Sequence, residues 1–126
     1  MKNSVMLFAL AASFLLAQSL VLAHHGSAGY NNKDLVTVTG TATEFQFVNP
    51  HCIISINVKD AKGQVQKWQG ELTSPNHLVR AGWNAHSIKE GDQVTLTGWR
   101  AVSGAPSLRI TKTAVNGQDL KTEVGD

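Results

Sequence analysis

The chain has 126 residues, a single cysteine (Cys52), and few charged residues, at 16%. One cysteine excludes an internal disulfide, so the core must hold the fold unless the thiol pairs between chains. A lone thiol most often behaves as a small buried apolar side chain, and Cys52 is expected to do so. Lys and Arg number 11 against 9 Asp and Glu, a formal net charge of +2. So small a balance lacks the basic footprint of a nucleic-acid binder, and no nucleic-acid partner is expected. Catalytic signatures are missing too: no serine in a glycine elbow, no glycine-rich phosphate loop, no CxxC and no HExxH. His51 and Cys52 are adjacent, but neighbours on an extended chain project to opposite faces and cannot form a nucleophilic pair. The sequence therefore reads as a non-catalytic protein.

What is present begins with "MKNSVMLFALAASFLLAQSLVLA". Lys2 precedes an apolar stretch from Val5 to about Leu16, and Val21-Leu22-Ala23 puts a β-branched and a small residue at the two positions a signal peptidase inspects, as in a secretory signal peptide. A membrane anchor is the competing reading, since ~20 apolar residues span a bilayer. Gln18 and Ser19 interrupt the run, however, and no Lys or Arg cluster follows it. Cleavage after Ala23 leaves 126 − 23 = 103 residues, and losing Lys2 lowers the formal charge from +2 to +1. The expected product is one small domain, 24–126, in the periplasm or secreted, with no membrane attachment.

Residues 24–34 read as a polar, flexible N-terminal arm. Beyond it, "LVTVTGTATEFQFV" is a long alternating strand, with Gly40 where a bulge or bend is expected. Asn49-Pro50 stops it. "CIISINVKD", a turn at "DAKG" and "QVQKWQGEL" form a hairpin. "SPNHLVRAGWN" is the one credible helix, with Ser74 as N-cap, Pro75 at its first position and Gly82 at its C-terminal cap. "QVTLTGWRAV" and "SLRITKTAVN" are two more strands, and residues 117–126 read as a polar tail. The order predicts an all-β, five-stranded OB-like barrel with a short helix between strands 3 and 4. An open sandwich and an SH3-like barrel are the alternatives.

The five histidines carry the functional reading. Cleavage after Ala23 gives His24 a free amine, which with its own imidazole forms a chelate suited to Cu(II), and His25 adds a second imidazole. Alternatively, "HHGS" is a solvated tail that binds nothing. In the hairpin, a register placing Lys59 opposite Gly63 sets Cys52 against Gly70 and His51 against Glu71 on the outward face. That pair is either an exposed ion pair of little energetic consequence, or an imidazole oriented by a carboxylate for a metal shared with His24 and His25. His77 and His86 read as surface residues. Trp68 and Trp83 read as core, while Phe45 and Phe47 fall on one face with Thr41 and Thr43 and are expected to be partly exposed.

"AHHGS", "GTATEFQFVNPHC", "WQGELTSPNHLVRAGW" and "IKEGDQVTLTGWRA" together resemble a family of small exported bacterial proteins known as domain of unknown function 6152. The likeness runs from His24 to about Ala114. It implies a periplasmic OB-like domain and supplies no activity. Gly26 stands where the family reads His-His-Ser, and Cys52 where a small or apolar residue is more usual. The expectation is thus a binding protein with a transition-metal site, copper, at His24, His25, His51 and Glu71. The rival is a metal-independent module that binds a peptide, glycan or protein through the barrel face.

Overall fold

The protein is described here by a computed structural model over residues 29–122. Six strands and one helix follow one another: β1 Tyr30–Gln46, β2 Ile53–Lys59, β3 Val65–Glu71, α1 Pro75–Arg80, β4 Gln93–Ala101, β5 Ser107–Val115 and β6 Gln118–Leu120. The strand order is β3-β2-β1-β4-β5-β6, and an additional β3–β5 pairing closes β1 to β5 into a ring. The β3–β5 seam is parallel and the other pairings are antiparallel. With α1 between strands 3 and 4, this is the expected OB-like barrel, all-β with one short helix.

β1 makes the ring possible because it serves two neighbours. Residues from Tyr30 to Thr41 pair with β4, and residues from Thr41 to Gln46 pair with β2. Gly40 stands at the crossover, where a Cβ would lie 2.3 Å from the Asn57 carbonyl oxygen. The register itself breaks just beyond it, between Ala42 and Glu44. Thr43 is the extra residue, and its hydroxyl donates to the Ser55 carbonyl (3.2 Å).

That bulge shifts the strand's phase by one residue, so Phe45 and Phe47 do not share a face with Thr41, although both stay partly exposed as expected. Before it, Val36, Val38 and Ala42 face inward; after it, Phe45 and Phe47 do. Phe45 packs on Trp83, with ring centroids 5.9 Å apart. The inward set of β2, with Cys52, Ile54 and Ile56, is fully buried, as is Leu78 of α1. Cys52 is a free, buried thiol, as its isolation in the sequence predicts.

α1 ends as its sequence requires. Gly82 has φ +94°, its N–H donates to the Val79 carbonyl, and the Trp83 N–H donates to the Leu78 carbonyl (2.9 Å). This Schellman arrangement satisfies the last carbonyls and turns Trp83 into the core. Ser74 is extended at the N-cap, but its hydroxyl makes no cap bond. At the other end of the chain, Asn116 (φ 50°) and Gly117 (φ 83°) form a tight turn that returns Gln118–Leu120 to β5. Part of the stretch read as tail is therefore strand, and Lys121 accepts the Trp83 indole N–H at 2.6 Å.

Candidate functional site

The site lies at the barrel seam and is centred on Glu71, the last residue of β3. Parallel pairing sets Glu71 beside Arg109 of β5, and antiparallel pairing sets it beside Ile53 of β2. The hairpin register differs from the expected one by two residues: Lys59 pairs with Val65, and Ile54 rather than Cys52 faces Gly70. The turn is longer because the Asp60 carboxylate accepts the backbone N–H groups of Lys62 and Gln64. A slip of two preserves every side chain's face, so His51 stays on Glu71's side of the sheet.

His51 precedes β2, just after the cis Asn49–Pro50 peptide bond. Backbone bonds from Leu72 to Cys52 (2.8 Å) and from Cys52 to Thr73 (3.0 Å) carry the pairing one step beyond β2. His51 reaches Glu71 diagonally, and its Nδ1 contacts Glu71 Oε1 in an ion pair. Two partners that the sequence reading did not bring to the site complete the cluster. The Tyr30 hydroxyl donates to Glu71 Oε2 (2.8 Å), and Arg109 Nη1 donates to Glu71 Oε1 (3.3 Å). Glu71 is about one-fifth exposed, and His51 and Arg109 about one-third.

Both carboxylate oxygens are therefore engaged by donors. An imidazole that turns Nδ1 to a carboxylate holds its proton there and presents Nε2 outward as a lone-pair donor. The Tyr30 hydroxyl is held above the usual tyrosine range, chiefly by burial, with the hydrogen bond and charge of Glu71 adding to it. Ser107 and Arg109 act in the opposite direction. No group of three or more His, Cys, Asp or Glu side chains gathers among the described residues. His24 and His25 lie outside them, while His77 and His86 are exposed and apart from the cluster.

Arg109 could be found only by knowing which strands close the barrel. Tyr30 left a fainter trace, as an isolated aromatic residue at the start of an otherwise polar segment. Burial raises the Cys52 thiol, which lies inside the wall behind His51.

The fold and site define a small OB-like barrel carrying an oriented, solvent-reaching histidine at its seam. The chain belongs to a family of unknown function (DUF6152), whose sequence profile matches residues 13–108. The matched span includes Tyr30, His51 and Glu71 and ends one residue before Arg109. Among solved structures, the chain is similar to Rim1, the mitochondrial single-stranded DNA binding protein of S. cerevisiae. The TM-score is 0.51 at 14% identity, covering 65% of this chain and 92% of that one. At that identity the likeness concerns the fold. No curated protein matches the chain.

Proposed function

We propose that the protein is an exported, non-catalytic binding protein whose seam histidine takes part in a transition-metal site, with copper the best-suited ion. The observation that carries this reading is the contact between His51 Nδ1 and Glu71 Oε1. A metal-binding histidine is characteristically oriented by a carboxylate on its other ring nitrogen. Glu71, whose oxygens already serve Tyr30, His51 and Arg109, fits the role of orienting group better than that of direct ligand. His51 then supplies one imidazole. The amine and imidazole of His24, with the imidazole of His25, supply the rest if cleavage follows Ala23. A set of nitrogen donors suits Cu(II).

The test is a Cu(II) titration of the exported protein after intact mass has established its first residue. Affinity should fall about tenfold or more in His24→Ala, and as much when one residue is added before His24. Unchanged affinity in both variants removes the N-terminal chelate.

Single-stranded DNA enters as a rival through the structural neighbour's ligand. Of the aromatic side chains that an OB face would offer for stacking, Trp68 and Trp83 are buried and Phe45 lies against Trp83, while Trp99 is half-buried. The formal net charge is only +2. Salt-sensitive binding of an oligonucleotide would favour that rival. A metal-independent peptide or protein partner draws its support from the exposed Leu35 and Val65 on the barrel wall.

A further inference from the structure

Two arginines stand in the barrel wall, and the fold answers the charge of only one. Arg109 is met by Glu71, whereas Arg100 has no carboxylate partner among the described residues. Val94, Leu96 and Gly98 are the buried positions along β4, and the same alternation turns Arg100 inward near the end of the strand. Its strand neighbours are Asn31 of β1 and Leu108 of β5, neither of them charged. The guanidinium carbon Cζ stands over the Trp68 ring, 5.7 Å from its centroid. That ring is buried and held in place, its indole N–H donating to Gln66 Oε1 at 3.1 Å. Arg100 Nε is shut away from water with no hydrogen-bond partner, while the residue as a whole is half-buried.

A guanidinium keeps its charge in proteins, so this position cannot be relieved by loss of a proton. An aromatic face attracts the charge, but it does not accept from the planar fork of N–H donors as oxygen atoms do. Buried donors are otherwise satisfied in folded proteins, and an orphan marks a missing partner. We propose that Arg100, held against Trp68 where β4 runs out towards β5, is the recognition group of a binding site for a carboxylate. The fork matches the two oxygens of a carboxylate, which it can engage together. One positive charge between uncharged strand neighbours balances one negative charge, which favours a carboxylate over a phosphate dianion. The exposed part of the side chain is the ligand's way in. The site needs no metal, and it sits on the inner side of the wall whose outer side carries Glu71 and Arg109.

The chain has three arginines, Arg80, Arg100 and Arg109, so arginine labelled with nitrogen-15 gives one Nε–H signal for each. The experiment titrates the unmodified exported protein with sodium acetate, against sodium chloride at equal ionic strength. Arg80 is exposed and supplies the baseline for loose ion pairing. The Arg100 signal should shift saturably with a midpoint on the order of 10 mM, at least ~5-fold below that of Arg80. Acetyl-glycyl-glycine and acetyl-aspartyl-amide then set a chain end against an acidic side chain, and the tightest of these three ligands identifies the source of the carboxylate. An Arg100 signal that follows Arg80, or moves as far in chloride, overturns the proposal, since the guanidinium is then merely solvated. Inorganic phosphate binding as tightly as acetate overturns the assignment to a carboxylate. Arg100→Lys keeps the charge and loses the fork, so acetate should no longer shift the amides of Asn31 and Leu108 saturably; an undiminished shift would place the site elsewhere.

Discussion

Replacing Glu71 with Gln keeps the shape of the side chain and removes its charge. In the native protein that charge accepts from the Tyr30 hydroxyl (2.8 Å) and from Arg109 (3.3 Å), and it holds the His51 imidazole. A glutamine offers one acceptor oxygen and a donor amide, so one side of the cluster must face donor to donor. Each charge-assisted hydrogen bond contributes on the order of 1.5–3 kcal/mol when well shielded. Partial exposure of His51 and Arg109 cuts this sharply, since ion pairs near water contribute ~0–1 kcal/mol. The better-shielded Tyr30 bond contributes most, and the total loss comes to about 1.5–2 kcal/mol. For a domain of this size that is a fall in Tm of roughly 6–15 °C. Urea unfolding should show the same loss as a lower midpoint at unchanged slope. A variant within about 0.3 kcal/mol of the parent would refute the view that Glu71 ties the seam.

Tyr30 is the only tyrosine, so tyrosinate absorbance reports this one hydroxyl. It should ionise above the ordinary tyrosine range, and Glu71→Gln should lower the midpoint only in part, because burial is the larger cause. A raised native pKa means the folded state holds its proton longer than the unfolded one. The contribution to stability is complete below the unfolded value and is lost as pH rises through the native one, so an alkaline loss of stability should accompany the titration. Cys52, buried and with its thiol raised, should resist a disulfide reagent at pH 8 by at least ~100-fold relative to the unfolded chain; prompt labelling of native protein would contradict its placement. At Gly98 a Cβ would stand 2.2 Å from the Arg109 carbonyl oxygen, which is backbone and cannot swing aside. Gly98→Ala should cost about 2–4 kcal/mol by calorimetry or urea, and a cost under 1 kcal/mol would show that the close β4–β5 approach at Gly98 yields easily.

Much of the architecture was legible because alternation, Gly63, Gly82 and the single helix all point the same way. The His51–Glu71 contact survived a two-residue error in the hairpin register because sheet faces repeat with period two. An error of one residue, the kind introduced at Thr43, is not forgiven, and it moved Phe45 and Phe47 off the face they were expected to share with Thr41. Tyr30 escaped notice because the bulge before Leu35 hides it from the regular pattern of β1. Arg109 escaped because its neighbour is 38 residues away across a parallel pairing that no local signal announces. The turn into β6 was readable, since Asn116-Gly117 is a strong hairpin signal with no need of tertiary context. Residues 24 and 25, on which the metal reading partly depends, lie outside the described residues.

The seam has a consequence for order in time as well as in space. It consists of Gln69 with Ser107, Gly70 with Leu108 and Glu71 with Arg109, a short ladder between distant parts of the chain. Loop-closure entropy disfavours such pairings until hairpins and helix are in place, so this ladder should be the last to form and the first to part. The cluster around Glu71 exists only while it is shut. Whatever binds His51 would therefore act as a clasp, slowing hydrogen exchange at the amides of residues 69–71 and 107–109 far more than at those of the β1–β4 pairing.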